Sequence, residues 1–319
     1  MKSFAYCFTL ISTIAISIAA GLPAQAQRAR VFVSVNGNDN NPCTALSPCR
    51  TFQQAYDTVL AGGEISVLDT GGYGPVFISK AISIISPDGI EAGVLVPSGQ
   101  SGIQIQAGPN DAINLRGLII DGAGSGSFGI IYDAGQSVTI QKCVIRNLTD
   151  TGMFFEPANS GFNLAVSDTL IANNGIYGVK ILPFVPSASG YVSAIFSHVE
   201  LDNNANGILV DGNSSSGATR VTVTDSVVTG SIGTALAVTA TFSPTSLMVF
   251  RSVVANNNVA ISANGTGANA ATLRIGQSTV TGNTFAWEDI NSGVVQSYGD
   301  NKIDGNAQDQ SPPPTILNK

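Results

Sequence analysis

The chain has 319 residues, of which 44% are apolar and only 11% are charged, and 35 of them are glycine. This composition suits a rod of stacked strands with polar but uncharged faces better than a charged helical protein. The formal net charge is −7 and there is no basic cluster, which argues against binding to DNA or RNA phosphates. An acidic polysaccharide would also be repelled at long range unless a local basic patch or a metal intervened.

The first 26 residues have the three parts of a secretory signal peptide: Lys2, the apolar run from Phe4 to Ala20, and the small-residue motif Ala24-Gln-Ala26. The apolar run is shorter than the ~20 residues that span a bilayer, which disfavours the alternative of an uncleaved membrane anchor. We therefore expect cleavage after Ala26. The mature chain is then expected to be soluble and to reach the periplasm, the cell surface or the medium.

Residues 27–63 are predicted to form an N-terminal cap. Cys43 and Cys49 bracket a short loop, and an oxidising compartment would let them pair as a disulfide. Residues 51–60 have the apolar spacing of an amphipathic helix, with Thr51 as its N-cap and two glycines after its end. Because a solenoid exposes its core at each end, this helix is predicted to cover the first coil, although an ordinary surface helix is the alternative.

Short strands separated by glycine-rich or charged turns come next. The runs at residues 64–69, 76–79 and 81–85 are predicted to form the first coil, and those at 90–96 and 102–106 the second. A repeat then becomes recognisable, and it continues to residue 306.

Each repeat has a period-2 apolar run, a polar turn residue, a second short run, an Asn or Gly turn, and a third run. The polar turn residues recur with gaps of 26, 30, 27, 26 and 26 residues: Lys142, Asp168, His198, Asp225, Arg251 and Gln277. A fixed period with three strands and no helix predicts an all-β fold. We expect residues 64–306 to form one continuous β-solenoid with three strands per coil.

The asparagines of the second turn are predicted to be structural. Those that align are Asn147, Asn173, Asn203, Asn256 and Asn283, with Gly122 and Gly230 at the same place. A tight bend needs a residue that tolerates positive φ, as Asn and Gly do. Strands stacked about 4.8 Å apart would also let the amide side chains hydrogen-bond from coil to coil.

The C-terminal end departs from the repeat. The copy at Ser297 to Asn306 is shortened, and residues 307–319 form a proline-rich tail outside the regular pattern. Trp287 is predicted to plug the open end of the core in preference to stacking on a sugar. Cys143 takes the place that Ser or Thr has in other repeats, which predicts a small buried or half-buried thiol.

Several motifs resemble a known superfamily. With three strands per coil, Asn turns, a cap helix and the opening Val33-Ser-Val-Asn-Gly-Asn-Asp39, the chain resembles the right-handed parallel β-helix proteins of the pectate-lyase-like superfamily. More narrowly, Pro48-Cys-Arg-Thr-Phe-Gln-Gln-Ala55, Gly72-Tyr-Gly-Pro75 and the repeat from Ser297 resemble exported bacterial β-helix proteins without known activity. The superfamily contains lyases, hydrolases, epimerases and non-catalytic surface proteins, so the resemblance implies a fold rather than a function.

The usual acidic residues of such enzymes are missing. Members that resemble polygalacturonases carry Asn-Thr-Asp, Asp-Asp, Gly-His-Gly and Arg-Ile-Lys, and none of these occurs here. Glycoside hydrolysis needs two carboxyl groups about 5–10 Å apart on an accessible face. From Asn114 on, the outward positions of the first strand are mostly Ser and Thr, with Asn, Gln, a few Arg and some apolar residues such as Ile195, Met248 and Phe250, and with no Asp or Glu. Neither a carboxylate pair nor an acidic calcium site is predicted on this face.

The polar residues of the first turn are the one column that could perform chemistry. Stacked one coil apart, Lys142, Asp168, His198, Asp225 and Arg251 would place the only histidine between two carboxylates. In a catalytic interpretation, His198 is a general acid or base on a uronic acid whose carboxylate is neutralised by Lys or Arg. In the structural interpretation, which we prefer, the column is a ladder of charges in which like charges are not adjacent. The outer carboxylates would then be neutralised by Lys142 and Arg251.

These observations predict an exported, non-catalytic module that binds a glycan or has a structural role. An extended polysaccharide would lie along the Ser, Thr and Asn face or on the variable loops Leu182–Gly190 and Ala240–Ser246. The alternative is a polysaccharide lyase, epimerase or glycoside hydrolase that uses the first-turn column; an adhesin is a third possibility. No cofactor and no metal is predicted, and the oligomeric state stays open.

Overall fold

The computed structural model describes residues 28–187, 189–266, 271–308 and 310–317. The predicted signal peptide at residues 1–26 lies outside these ranges. Within them, no helix is long and apolar enough to cross a membrane.

An N-terminal strand and one short helix precede nine coils of three strands, and a tenth coil is incomplete. The first elements are β1 (Arg28–Val33) and α1 (Phe52–Thr58). Coils one to three contain β2 (Val59–Val67), β3 (Gly71–Gly72), β4 (Val76–Ile78), β5 (Ile82–Ile85), β6 (Ala92–Leu95), β7 (Ser101–Gln106), β8 (Ala112–Arg116), β9 (Leu118–Asp121) and β10 (Phe128–Ala134). Coils four to six contain β11 (Ser137–Gln141), β12 (Val144–Arg146), β13 (Thr151–Phe155), β14 (Phe162–Ser167), β15 (Leu170–Ala172), β16 (Tyr177–Ile181), β17 (Tyr191–Ser197), β18 (Glu200–Asp202) and β19 (Asn206–Asp211). Coils seven to ten contain β20 (Ala218–Thr224), β21 (Val227–Thr229), β22 (Thr234–Ala240), β23 (Thr245–Phe250), β24 (Val253–Ala255), β25 (Val259–Gly265), β26 (Ala271–Gly276), β27 (Thr279–Thr281), β28 (Phe285–Asn291), β29 (Val294–Ser297) and β30 (Lys302–Ile303).

The strands form three parallel sheets that run along the solenoid. Sheet 1 has the order β1-β2-β5-β8-β11-β14-β17-β20-β23-β26-β29, sheet 2 runs from β3 to β30, and sheet 3 runs from β4 to β28. Every third strand therefore pairs with its counterpart in the next coil. The predicted all-β solenoid with three strands per coil is confirmed.

The core consists of apolar side chains that stack in columns between the sheets. One column on sheet 1 is fully buried along nine coils: Ile65, Ile84, Leu115, Ile140, Val166, Phe196, Val223, Val249 and Ile275. The alternation of buried and exposed residues along each strand is the period-2 pattern of the sequence. Sheet 1 therefore turns one set of side chains inward and presents the other set outward.

The N-terminal region differs from the prediction in two places. The helix ends at Thr58 rather than Leu60, because Val59 has extended backbone and its N–H caps the helix on the carbonyl of Ala55. Strand β2 therefore begins at Val59 instead of Glu64. The strand at residues 82–85 pairs with β2 in sheet 1 and so opens the second coil, whereas we predicted it in the first.

The N-terminal end of sheet 1 is covered by the loop of the Cys43–Cys49 disulfide. The amide of Phe32 in β1 donates to the carbonyl of Cys43 at 2.9 Å, and the amide of Cys49 donates to the carbonyl of Phe32 at 3.0 Å. Helix α1 buries Phe52 and Ala55, and Lys80 donates to the carbonyls of Tyr56 and Val59 at its end. These contacts satisfy the backbone groups of an edge strand that could otherwise pair with another chain.

The asparagines near the second turn have two different roles: some form the bend, and others hydrogen-bond from coil to coil. Asn147, Asn173, Asn203 and Asn256 have φ between 52° and 59°, as the bend requires. The amide ladder, however, is made by the next residue in each coil, as in Asn174, Asn204, Asn257, Asn283 and Asn306. Our alignment of Asn283 with the bend residues is wrong, since Gly282 occupies that place with φ 68°.

The C-terminal end of the core is closed by residues 307–308 and 310–317, which we predicted to leave the regular pattern. The side-chain amide of Gln310 accepts from the amides of Ala286 and Trp287 and donates to the carbonyl of Trp287 at 2.9 Å, as a neighbouring strand would. The Trp287 indole N–H donates to the carbonyl of Ser311. Thr315 forms a parallel bridge with Ser297, which adds one rung to sheet 1. Trp287 packs partly buried against the core in this cap.

Candidate functional site

The residues of the first turn form a continuous column between sheets 1 and 2. Lys142, Asp168, His198, Asp225 and Arg251 all have φ between 45° and 55°. Each backbone amide donates to the strand carbonyl of the next coil at 3.1–3.2 Å, which fixes the side chains one rung apart. The structure therefore brings the five residues together in the order that the sequence predicts.

Within this column, His198 is exposed and makes one side-chain hydrogen bond. Its Nδ1 lies 3.0 Å from the hydroxyl oxygen of Ser197, the preceding residue. Among the described residues, His198 has no ion pair with the carboxylates of Asp168 and Asp225 on the adjacent coils. The column therefore places the imidazole between the carboxylates of Asp168 and Asp225, but no ion pair fixes its distance to either of them.

Asp225 is instead held by Arg251 on the next coil. The guanidinium donates twice to the carboxylate, Nε to Oδ1 and Nη2 to Oδ2, each at 2.7 Å. These hydrogen bonds, with a third from the Thr224 hydroxyl, hold the pKa of Asp225 well below its ordinary range. Such a carboxylate is a poor proton acceptor, which weakens the catalytic interpretation of the column.

We predicted that Lys142 neutralises Asp168, but in the structure its ion pair is with another carboxylate. Its ammonium pairs with Asp88 at 2.8 Å, and Arg116 pairs with the other oxygen of the same carboxylate at 3.0 Å. The hydrogen bond from Lys142 is the main reason that the pKa of Asp88 is lowered. Asp88 lies in the irregular second coil, so the repeat pattern could not align it with the column.

The buried neighbours of the column are structural. Cys143 is buried beside the hydroxyl ladder of Thr169, Ser226, Ser252 and Ser278, in which each hydroxyl accepts from a backbone amide of the preceding coil. Burial raises the pKa of the Cys143 thiol to about 11. A thiol that stays protonated is a weak nucleophile.

The outer face of sheet 1 has an unusual charge balance for an acidic protein. None of its eight strands from β8 to β29 contains Asp or Glu, whereas three of them present an arginine outward. Arg116 is paired with Asp88. Arg220 and Arg274 make no ion pair or hydrogen bond with any other described residue. The register confirms the predicted outward columns, in which Ser and Thr predominate beside a few Arg and apolar residues.

Two hollows lie in line on this face. The first, of about 360 Å³, spans coils four to seven around Ile195, whose side chain is 45% exposed, and Arg220. The second, which we call the C-terminal groove, measures about 930 Å³ and spans the last three coils. It is lined by Met248, Phe250, Arg274, Gln277, Gln296, Tyr298, Asp300, Ile316 and Leu317. The sequence showed the face but not the groove, because the C-terminal tail completes it.

The variable loops contribute exposed aromatic rings. Phe184 lies in the loop that follows β16, and Phe242 lies between β22 and β23; they are 43% and 65% exposed. Both loops connect sheet 3 to sheet 1. They therefore lie at one margin of the sheet 1 face.

On sheet 3, Lys180 is the main charged residue that sequence reasoning missed. Its ammonium lies 5.7 Å from the ring centroids of both Phe154 and Tyr177 and 3.9 Å from the carboxylate of Asp211. Burial and the nearby Asp133 raise the pKa of Glu156 at the edge of the same face. Across the described residues, no group of three or more His, Cys, Asp or Glu is arranged to hold a metal.

Comparisons with known proteins agree with this architecture. A family model described as a domain of unknown function (DUF4957) matches residues 64–195. No protein of curated function matches the chain by sequence. Among solved structures, the chain is similar to pectate lyase Pel9A, with a TM-score of 0.66 and 14% identity over 92% of this chain and 78% of that one. It is also similar to an alginate lyase from Paenibacillus sp. str. FPU-7, with a TM-score of 0.61 and 14% identity over 87% of this chain and 97% of that one.

The fold of this chain is thus a parallel β-helix similar to those of the two lyase structures. The similar structures include polysaccharide lyases, and a complex of XylC with xylose matches with a TM-score of 0.52 and 10% identity over 82% of this chain and 69% of that one. At such identities the likeness shows the fold alone.

Proposed function

We propose that the protein is an exported, non-catalytic module that binds an extended polysaccharide along the outer face of sheet 1. The observation that carries the proposal is the composition of that face. Eight successive strands present hydroxyl, amide, apolar and guanidinium groups without one carboxylate. Two hollows lie on the same line of coils.

The geometry of a solenoid suits a linear polymer. Rungs repeat about every 4.8 Å, so a straight chain meets equivalent hydroxyl and amide groups coil after coil. Ser193, for example, donates to the side chain of Asn163 one coil away at 3.0 Å, which orients both groups on the surface. Exposed apolar side chains such as Tyr191 and Ile195 supply area for the apolar faces of sugar rings.

Export is part of the proposal. The first 26 residues have the pattern of a signal peptide, and Cys43 and Cys49 form a disulfide, which persists in oxidising compartments. Several proteins of similar structure are named as enzymes that act on polysaccharides. These features support an extracytoplasmic glycan as the ligand.

The alternative function, a lyase, epimerase or hydrolase at the first-turn column, has one observation in its favour. His198 is exposed in line with Asp168 and Asp225. Two observations argue against it: Arg251 donates hydrogen bonds to both oxygens of Asp225, and Lys142 forms an ion pair with Asp88 instead of Asp168. We therefore rank binding above catalysis.

The test compares two exposed β-strand positions on different sheets. Ile195 on sheet 1 is 45% exposed and Val227 on sheet 2 is 40% exposed. Ile195→Asp places a carboxylate in the proposed binding face, and Val227→Asp places the same group on another face. In affinity electrophoresis through gels with uronic-acid and neutral polysaccharides, we expect Ile195→Asp to lose retardation and Val227→Asp to keep it. Equal retardation of both variants, or none of the wild type with any glycan, would overturn the proposal.

A further inference from the structure

We infer that the C-terminal groove is the principal subsite of the sheet 1 face and that it takes a sugar unit carrying an anionic group. This inference rests on the proposed function, since it names where on the face the ligand is held and what chemistry it has. Four features of the groove support it: its floor, its free aromatic ring, its unpaired polar side chains and its dependence on the C-terminal tail.

The floor of the groove is shaped by Gly276. In the sheet register, this glycine pairs with Phe250 on one side, and on the other side Tyr298 follows Ser297, the partner of Ile275. A Cβ at Gly276 would lie 3.0 Å from Cδ2 of Tyr298 and 3.3 Å from Cδ2 of Phe250, and Gly276 itself is buried. Both rings therefore lean over the glycine. Gly276 is needed for space, because its φ lies outside the left-handed region where glycine is favoured.

The rings of Phe250 and Tyr298 differ in how accessible they are to a ligand. The guanidinium of Arg251 lies 4.7 Å from the centroid of Phe250 and covers that ring. Tyr298 has no ring, cation or side-chain hydrogen-bond partner among the described residues. Its ring lines the groove half-exposed, with a hydroxyl that can donate or accept. It is the ring on which a pyranose can stack.

The polar side chains around Tyr298 are also free. Within the described chain, Arg274, Gln277 and Gln296 make no side-chain hydrogen bond or ion pair. Arg274 lies between Met248 and Gln296 on adjacent rungs, so the nearest neighbours of its guanidinium along the sheet are uncharged. A guanidinium presents paired donors that match a carboxylate or a sulfate.

One carboxylate, that of Asp300, is among the groups that line the groove. Asp300 is exposed at the turn and its Oδ1 accepts from the backbone amide of Gln277 at 3.0 Å. It lies beside the turn column rather than among the outward residues of sheet 1. The charge presented by the strands of the groove is therefore that of Arg274 alone.

The C-terminal tail completes the site. The amide of Ile316 donates to the carbonyl of Ser297 at 2.8 Å, and the amide of Ser297 donates to the carbonyl of Pro314 at 2.9 Å. The bridge between Thr315 and Ser297 places Ile316 on the rung next to Tyr298. The groove thus uses the last rung of sheet 1, which the tail itself provides.

The experiment uses isothermal titration calorimetry on the mature chain with three probes: an oligogalacturonate, its methyl ester and a sulfated galactan oligosaccharide. The ester matches the first probe in shape but lacks its charge, and the sulfated probe distinguishes sulfate from carboxylate. We expect the wild type to bind at least one anionic probe about tenfold or more tightly than the ester, as a charged hydrogen bond implies. Arg274→Gln should remove that preference and leave binding of the ester unchanged.

Lys302→Gln is the control, since Lys302 is an exposed cation in β30 of sheet 2, outside the proposed binding face, and makes no side-chain hydrogen bond or ion pair with another described residue. It should keep the preference. Gly276→Val should weaken the binding of all three probes, because its side chain would displace the rings of Phe250 and Tyr298. Tyr298→Ala should also weaken the binding of all three, because it removes one ring without adding a side chain at Gly276. Circular dichroism and melting temperature verify that each variant is folded.

The outcomes separate the two proposals. Failure of the wild type to bind any of a wide panel of glycans overturns the proposed function. If Arg274→Gln, Gly276→Val and Tyr298→Ala all leave glycan binding unaffected, the groove is not the principal subsite. The proposal that the sheet 1 face binds glycans would still stand. Equal affinity of the wild type for the acid, sulfate and ester probes overturns the anionic specificity alone.

Discussion

Asn256 and Asn257 are adjacent in sequence but have different roles, and the difference gives a quantitative test of the fold. Asn257 is 4% exposed. Its side chain donates to the carbonyls of Val228 and Ala255 and to Oδ1 of Asn283 at 2.9–3.1 Å. It also accepts from the backbone amide of Ser231 at 2.9 Å. Asn257→Ala removes all four hydrogen bonds.

The expected cost follows from these four bonds. The two hydrogens of the side-chain NH2 are shared by three acceptors, so the four contacts amount to about three full hydrogen bonds of about 1 kcal/mol each, and Asn257→Ala should cost about 3 kcal/mol. Asn256 is exposed with φ 59°, and its side chain makes no ladder contact. Asn256→Ala should therefore cost about 1 kcal/mol for the left-handed backbone, and Asn256→Gly almost nothing because glycine adopts that backbone freely.

The assay is urea unfolding followed by circular dichroism, with hydrogen exchange as a local readout. The Ser231 amide should exchange faster in Asn257→Ala and stay protected in both Asn256 variants. Because coils are coupled to their neighbours, the loss of protection should spread to the adjacent coils first. If Asn257→Ala lowers the free energy of unfolding no more than Asn256→Ala does, the amide ladder does not stabilise the second turn.

Three further predictions concern charge, the thiol and processing. Because Arg251 lowers the pKa of Asp225, this pair stabilises the fold above about pH 4, and the contribution is lost as pH falls through the lowered pKa. The decrease in melting temperature caused by Arg251→Met should therefore be largest near neutral pH and become smaller in acid. A decrease that does not depend on pH would contradict this prediction. Cys143 should resist alkylation by iodoacetamide at pH 8 in the native protein and react in urea, since burial raises its thiol pKa to about 11. Rapid labelling of the native protein would show that the thiol is not buried. N-terminal sequencing of secreted protein should begin at Gln27, and a retained Met1 would refute cleavage after Ala26.

The sequence predicts the register of sheet 1 well because its period is regular there. From Lys142 to Gln277 the spacing varies by at most four residues, and every turn residue lies where the alignment placed it. The period-2 pattern then assigns inward and outward positions without ambiguity. The absence of carboxylates on the outer face could therefore be predicted before any coordinates.

The errors occur where this periodicity fails or where two residues compete for one role. Asn283 and Gly282 both suit a bend, and only the register shows that Gly282 makes it while Asn283 joins the ladder. The partner of Lys142 is Asp88, which lies in an irregular coil 54 residues earlier. No local pattern links such distant positions.

The C-terminal groove was not predictable for the same reason. Phe250, Gly276 and Tyr298 belong to three successive coils, and the tail that borders them has no repeat. The sequence predicts residues 307–319 as a tail outside the regular pattern. In the structure, Gln310 and Thr315 continue the sheets across the open end.

The central claim, that the sheet 1 face binds glycans and that the first-turn column does not catalyse, is tested most directly by one screen. Purified wild type and His198→Ala would be incubated with uronic-acid and neutral polysaccharides, while unsaturated products, reducing ends and retention on immobilised glycan are measured together. We predict retention of both proteins to the same extent with no product from either. Product formed by the wild type and abolished in His198→Ala would contradict the claim and make the column an active site.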